Sequence, residues 1–316
     1  MHRPFRLGPL TTTCLIRAGD GAAAIPERNV RARLVPGEPF PANLPPDLAK
    51  ARERVRHVHE SGACRRHWNS PTFRLDAFTA GRDADEELVL DLGFSPSDYY
   101  TSLAAQGVDC APSAARAAGA RPGADLLPGV SFGVNVAAVT GDGRMIFSRR
   151  STQVAVNPGL WNSSANEGLS RTHDIADDGT VDLFGAARRA LAEELTVFDT
   201  DIAGLDLLSV VVDERRRQWG ALFCARLTCT EEVLRQRWTR GMHDPWEHTE
   251  FAFVPAHPAD VLGFLLDPAR QDSWTACAPA LFYHALVRTT AVGGGARPAR
   301  GVVEAALDRL LVSAPT

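Results

Sequence analysis

LFGAARRALAEELTV, residues 183–197, is the stretch that decides the fold. Its apolar positions recur every four residues, at Leu183, Ala187, Leu191 and Leu195. This spacing predicts an amphipathic α-helix with one buried stripe. Asp182 stands just before the helix, where its side chain can accept a hydrogen bond from the free N–H groups of the first turn. The stretch therefore predicts a capped helix that packs one face on a core.

Two adjacent carboxylates, Glu193 and Glu194, stand near the end of this helix. Positions 190, 193 and 194 lie within roughly 100° of one another on a helix surface. Carboxylates there form a cluster of hard oxygen ligands that suits Mg²⁺ or Mn²⁺. Arg189, four residues before Glu193, can pair with it and fix its rotamer. We predict a divalent metal site at Glu193 and Glu194, with Asp182 as a further ligand; the alternative is a solvated polar face.

The helix resembles the signature of the Nudix superfamily, R-E-U-x-E-E-x-G-U, in which U is aliphatic. The match runs from Arg189 to Val197, with Ala190 in place of the first Glu and Thr196 in place of the Gly. Upstream, SRRSTQVAVNPGLWNSSANEGL is similar to the segment that leads into the signature in Nudix enzymes acting on nucleotide sugars. A Pro-Gly-Gly turn in those enzymes is replaced here by residues 164–166, Ser-Ala-Asn. The segments NSPTFRL, LVLDLGFSPSDYY and WEHTEFAFVP also resemble the two-domain branch that hydrolyses UDP-glucose and UDP-galactose.

The resemblance implies an α+β chain in three parts. A Nudix α/β/α sandwich with a mixed sheet covers residues 126–290, a smaller β-rich N-terminal domain precedes it at 1–125, and a tail with a helix follows at 291–316. The order of strands and helices read from the sequence also suits a mixed sheet between helices. The segment from Ala114 to Asp125 is rich in Ala, Gly and Pro and lacks an apolar stripe, so we predict the domain linker there.

The activity that the resemblance implies is metal-dependent hydrolysis of a diphosphate linkage in a nucleotide sugar or a related nucleoside diphosphate derivative. The substrate is then a small-molecule diphosphate, and the cofactor is Mg²⁺ or Mn²⁺. Two alternatives stay open. The loss of the first signature Glu and of the Gly-Gly turn favours a catalytically degenerate Nudix-fold module that binds a nucleotide. The sequence also allows a Nudix-fold hydrolase of a non-nucleotide diphosphate, such as a prenyl diphosphate.

Hydrolysis by a metal-activated water needs a base that takes the proton of that water. Glu250 and Glu247, on or just before the predicted strand HTEFAFV, are the first candidates, and Glu167 and Asp182 are the next. The sequence does not choose between them. With Glu193, Glu194 and Arg189, the two leading candidates complete the predicted catalytic set.

Substrate contacts are predicted from residues near the signature. Arg149 and Arg150 end a predicted strand beside the proposed site, where a guanidinium can clamp phosphate oxygens with two hydrogen bonds. Trp161 and Glu167 belong to the segment that resembles the approach to the signature, and Tyr99 lies in the N-terminal part that we expect to face the cleft. These five residues form the predicted substrate-binding set.

Composition narrows the function further. The net charge of −4 gives no reason to expect nucleic acid or an acidic membrane as a partner, and no apolar run is long enough to span a bilayer. Lys50 is the only lysine and follows no glycine-rich loop, which argues against a Walker phosphate loop, a kinase and a pyridoxal Schiff base. Six scattered cysteines without a C-x-x-C pair, and no signal-peptide pattern, favour reduced thiols in the cytoplasm. Homo-oligomerisation stays open.

Overall fold

The computed structural model describes residues 3–35, 44–61, 69–107, 129–243, 246–291 and 296–313. The strands are β1 (Arg6–Leu7), β2 (Leu10–Thr11), β3 (Cys14–Ala18), β4 (Val30–Leu34), β5 (Pro71–Arg82), β6 (Leu88–Asp98), β7 (Ser131–Val139), β8 (Arg144–Arg150), β9 (Trp161–Asn162), β10 (Ala165–Gly168), β11 (Ile202–Asp213), β12 (Gln218–Leu227) and β13 (His248–Pro255). The helices are α1 (Pro46–Glu60), α2 (Tyr99–Ala105), α3 (Leu183–Leu195), α4 (Glu231–Arg240), α5 (Pro258–Leu266), α6 (Ala278–Thr290) and α7 (Ala296–Ser313).

The main sheet is mixed and lies between two layers of helices. Its strand order is β13-β8-β7-β12-β11-β3, with β10 paired to β7 and β9 paired to β8. Strands β7 and β12 run parallel, whereas β13 and β8, and β11 and β12, run antiparallel. Phe223 of β12 packs in the core under α3, and its neighbour Leu222 packs in the core under α5, α6 and α7. The predicted α+β class, with a mixed sheet between helices, is confirmed.

A second, three-stranded sheet of order β4-β6-β5 forms the N-terminal layer, with α1 and α2 packed together beside it. Phe94 of this layer meets Phe132 of β7 edge to face, with ring centroids 5.1 Å apart. The N-terminal residues are not confined to this layer, because β3 pairs with β11 in the main sheet. The predicted linker from Ala114 to Asp125 lies outside the described residues, so the division at residue 125 stays a prediction.

Helix α3 forms where the four-residue spacing predicts it. The carboxylate of Asp182 accepts a hydrogen bond from the N–H of Gly185 at 2.7 Å and caps the first turn. The helix ends at Thr196, whose φ of 56° is left-handed, the conformation that glycine adopts without strain at a helix end. The resemblance places a glycine at this position, and the backbone angle gives the physical reason.

Two further expectations concern cysteines and membranes. The four cysteines within the described ranges, Cys14, Cys224, Cys229 and Cys277, are free thiols, whereas Cys64 and Cys110 lie outside those ranges. None of the described helices is both long enough and apolar enough to cross a bilayer.

Candidate active site

Glu194 is the most enclosed carboxylate of the signature helix, with an exposure of only 2%. It lies on the buried face of α3, one turn after Ala190. Its Oε1 accepts the backbone N–H of Asn166 at 2.7 Å, and its Oε2 lies 2.6 Å from Nε2 of His248. An ionised carboxylate only accepts hydrogen bonds, so Nε2 of His248 is the donor in the tautomer that pairs with ionised Glu194. Two strands thus fix the orientation of Glu194.

Glu247 joins these two residues in a compact group. One ligand atom each from Glu194, Glu247 and His248 lies within 4.8 Å of the other two. Glu247 is held just before β13, where its carbonyl accepts the N–H of Ser151 at 2.7 Å. Carboxylates gathered away from water are costly unless a cation or a proton compensates their charge. The group therefore has the donor chemistry of a divalent metal site.

Arg189 connects the other carboxylates around this group. Its Nη2 lies 2.8 Å from Asp174, a residue that is 2% exposed. Its Nη1 lies 3.3 Å from Glu167 and 3.4 Å from Glu193. The predicted pairing of Arg189 with Glu193 is therefore present, and the same guanidinium also reaches strand β10.

Glu167 has a strongly shifted acidity. Burial, together with the negative charges of Glu194, Glu193 and Glu247, raises its pKa to about 8 against the opposing charge of Arg189. A carboxyl with a pKa near neutrality is a typical general acid or base, because it can both hold and release a proton.

Two cavities meet beside the group. The metal-side cavity, about 520 Å³, is lined among others by Glu167, Arg189, Glu193, Trp246 and Glu247. The amide pocket, about 190 Å³, is lined mainly by carboxamide and hydroxyl side chains between α2, β7 and β12. Tyr99, Arg150 and Asn166 line both cavities and mark their junction.

Hydrogen bonds organise that junction. Oδ1 of Asn166 accepts from Nη1 of Arg150 at 3.0 Å and from the side-chain amide of Asn162. Asn162 in turn accepts from the hydroxyl of Thr275 at 2.8 Å. A series of hydrogen-bonded side chains therefore runs from Thr275, just before α6, through Asn162 to Asn166. The backbone N–H of Asn166 in turn donates to Glu194.

The structure brings together most of the predicted site residues, which are Arg189, Glu193, Glu194, Glu247, Glu167, Arg150 and Tyr99. Glu193 and Glu194 differ in environment, because Glu193 faces Arg189 and is partly exposed whereas Glu194 is enclosed with His248. Ala190 has no exposed surface and lies in the core beneath α3. The position of the missing signature Glu is thus filled by packing, and not left open towards the cavity.

Arg149 and Glu250 are not brought to this group. They are register partners on β8 and β13, and their side chains form an ion pair at 3.5 Å on a half-exposed surface. Phe251 packs on Trp238 on the α3 side of the sheet, with ring centroids 4.6 Å apart. Because side chains alternate along a strand, the neighbouring Glu250 faces the opposite side.

Asp182 and Trp161 also lie elsewhere. Asp182 caps α3 twelve residues before Glu194, which is about 18 Å along a helix, and its carboxylate is used by Gly185. Trp161 is 4% exposed and packs against Trp274 and Phe264 in the core under α5 and α6. Their positions support capping and core packing.

Sequence reasoning missed three residues of the site: His248, Asn166 and Asp174. The signal for His248 was its place directly after Glu247 at the start of a strand. Asn166 acts on Glu194 through its backbone N–H, which no residue type encodes. Asp174 lies in the loop before α3, and only the folded chain shows that it anchors Arg189.

Some known proteins are similar to this chain. No family model matches the chain. The chain is 28% identical over 252 residues to the uridine diphosphate glucose pyrophosphatase NUDT22 of Bos taurus, which covers 73% of this chain and 82% of that protein.

Two solved structures are also similar. DR0079 from Deinococcus radiodurans has a TM-score of 0.34 and 14% identity over 62% of this chain and 90% of that one. The MutT protein from Methanosarcina mazei has a TM-score of 0.29 and 16% identity over 50% of this chain and 94% of that one. The assignment rests on the curated relative and on the helix that carries Arg189, Glu193 and Glu194. By this relative and by its signature helix, the chain is similar to the Nudix hydrolase superfamily.

Proposed function

We propose that the chain hydrolyses the diphosphate linkage of a nucleotide sugar, with a divalent cation held by Glu194 and Glu247. The observation that carries the proposal is the group of Glu194, Glu247 and His248 beside a cavity that also holds Glu167, Glu193 and Arg189. The name of the bovine relative, a uridine diphosphate glucose pyrophosphatase, supports a nucleotide sugar as the substrate.

The donor chemistry fits Mg²⁺ or Mn²⁺. Both ions take carboxylate oxygens as ligands. Glu194 and Glu247 supply such oxygens, Glu193 lines the same cavity as Glu247, and His248 holds Glu194 in place by its hydrogen bond. When bound, the cation neutralises charge on the diphosphate and lowers the pKa of a coordinated water.

Glu167 is our candidate for the general base. It lines the metal-side cavity, and with a pKa of about 8 its ionised form, which can accept the proton of an attacking water, predominates at mildly alkaline pH. The water oxygen forms a bond to one phosphorus, the bridging P–O bond breaks, and the second phosphate leaves. Arg189 stabilises the ionised form of Glu167 from 3.3 Å.

Arg150 is the candidate for phosphate binding. Its Nε donates to the carbonyl of Val156 at 3.0 Å and its Nη1 donates to Asn166, so two hydrogen bonds fix the plane of the guanidinium. These contacts leave the Nη2 donors for phosphate oxygens at the junction of the two cavities. Of the arginine pair in the sequence, this one lies at the junction.

A nucleotide-binding module without catalysis stays the second candidate. It is favoured by Ala190, which lies in the core where the signature has a Glu. The prenyl diphosphate alternative is not favoured by the amide pocket, because the carboxamide and hydroxyl groups among its lining would lose their hydration against an apolar chain.

A hydrolysis panel tests the proposal. UDP-glucose, a dinucleoside diphosphate and a prenyl diphosphate are offered to the parent, to Glu194→Gln and to Glu250→Gln, with Mg²⁺ and with Mn²⁺. We expect metal-dependent release of a nucleoside monophosphate from UDP-glucose, which Glu194→Gln abolishes and Glu250→Gln leaves within twofold. A parent inactive on the whole panel, yet stabilised by UDP-glucose without metal, contradicts hydrolysis and supports the binding module.

A further inference from the structure

The amide pocket is a second feature of the site that the proposed chemistry leaves unused. Six carboxamide side chains line it: Gln106, Asn135, Asn157, Asn162, Asn166 and Gln218. A carboxamide carries both a donor and an acceptor, which is the combination that a hydroxyl group needs. Asn162 already uses both, on Asn166 and Thr275, so the other carboxamides are the ones available to a ligand. The lining therefore suits a ligand rich in hydroxyl groups.

The pocket contains little free charge. Among the described residues that line it, Asp213 is already bound by the hydroxyl of Thr13 at 2.6 Å and by the N–H of Arg215 at 3.0 Å. Arg150 lies at the junction with the metal-side cavity. The interior thus lacks the cationic side chains that a phosphate group requires, so we expect an uncharged group to bind there.

The floor of the pocket keeps its amides accessible. Asn135 of β7 lies beside Gly220 of β12, where a Cβ atom would come within 3.1 Å of Nδ2 of Asn135. A larger residue at 220 would therefore cover this amide. Neither Asn135 nor Gln218 makes a side-chain hydrogen bond to any described residue, so both can bind a ligand.

The N-terminal layer closes one side. Gln106, which ends α2, donates to Ser131 at 3.4 Å and accepts from Arg216 at 3.3 Å. The pocket is thus formed jointly by the N-terminal layer and the main sheet. Its volume of about 190 Å³ equals roughly six water volumes at about 30 Å³ each, enough for one hydroxylated ring.

We propose that the amide pocket receives the sugar ring of the substrate, and that Asn135 and Gln218 hydrogen-bond its hydroxyl groups. This assignment rests on the proposed function. Arg150 and Asn166 then lie next to the sugar-side phosphate, and the nucleoside half extends along the metal-side cavity. The pocket selects an uncharged sugar and not a charged one such as a hexuronate.

Asn135→Leu and Gln218→Leu test the assignment, because each removes one carboxamide with little change in volume. Gln271→Leu, on an exposed turn away from the pocket, is the matched control. Hydrolysis is measured with UDP-glucose and with the methyl ester of UDP, which keeps the diphosphate linkage and lacks the ring. For UDP-glucose we expect kcat/KM to fall about 3- to 10-fold in each pocket variant, the cost of one hydrogen bond, mainly through KM.

The methyl ester decides what that loss means. The assignment predicts that its kcat/KM stays within twofold in both pocket variants and in the control. An equal loss for both substrates assigns the pocket to the nucleoside or to structural support, and no loss for either removes it from the site. Both results overturn the proposal.

Binding separates this proposal from hydrolysis itself. Calorimetry compares UDP-glucose with UDP on the parent and on Asn135→Leu. If the parent hydrolyses nothing but binds UDP-glucose more tightly than UDP, and Asn135→Leu abolishes the difference, the sugar subsite stands and the hydrolase proposal fails. Equal affinity of the parent for the two ligands overturns the subsite.

Discussion

Ala190→Glu restores the first acidic residue of the Nudix signature, and the structure predicts that it destabilises the protein. Ala190 has no exposed surface and lies in the core beneath α3. A larger side chain there costs about 1–3 kcal/mol by overpacking, and an unpaired buried polar group costs about 1–3 kcal/mol more. A loss of roughly 3 kcal/mol corresponds to a fall in Tm of roughly 6–12 °C, at about 2–4 °C per kcal/mol.

Thermal denaturation followed by circular dichroism measures the effect, with and without Mn²⁺. Ala192→Glu is the matched control, because it places the same residue on the same helix at a partly exposed position. We expect its Tm to stay close to that of the parent. If Ala190→Glu unfolds at the parent temperature and gains extra stabilisation from Mn²⁺, then position 190 faces the metal and the reasoning from core burial is wrong.

Three further predictions concern the same helix and its surroundings. Thr196→Gly should raise the free energy of unfolding in urea by about 1 kcal/mol, because the left-handed φ of 56° strains a β-branched residue; Thr196→Ala, which keeps the strain, should gain less. Asp174→Asn should lower that free energy by roughly 3 kcal/mol, because it removes the enclosed partner of Arg189, whereas Asp178→Asn on an exposed turn should change little. Glu167 has a pKa of about 8 in the folded state, against an ordinary value of 4.5. At pH values between these two the native state therefore binds more protons than the unfolded state, so Tm should fall as pH rises from about 4.5 to 8. Glu167→Gln should flatten this profile, and an unchanged slope would assign it to another group.

Much of the fold follows from local patterns. The four-residue spacing and Asp182 predict α3 and its cap, and both are present. The position of β3 in the main sheet, in contrast, does not follow from local patterns, because the five residues that form this strand do not show which strand they pair with. Its pairing with β11 depends on packing between parts of the chain that are nearly 200 positions apart.

The sequence predicts the site residues only where a single helix or strand contains them. Glu193 and Glu194 are adjacent, yet a helix turns about 100° between them, and only the packing of β10 and β13 makes Glu194 the enclosed one. Neighbouring residues on a strand face opposite sides, so Arg149 and Arg150 could not both face the site.

His248 depends on a feature that the sequence does not show. A register shift between His248 and Glu250 interrupts the alternation of β13. His248 and Phe251 therefore face the same side, with ring centroids 5.0 Å apart, although three positions separate them. In a regular strand they would face opposite sides.

Titration of the protein with Mn²⁺ by calorimetry tests the central claim, a metal site at Glu194 and Glu247, most directly. The parent is compared with Glu247→Gln and with Glu250→Gln, which removes a nearby carboxylate on the other face of the sheet. We predict that Mn²⁺ binds the parent and Glu250→Gln with equal affinity, and that binding is lost or at least tenfold weaker in Glu247→Gln. Equal binding to the parent and Glu247→Gln, or weakened binding to Glu250→Gln alone, would contradict the proposed site.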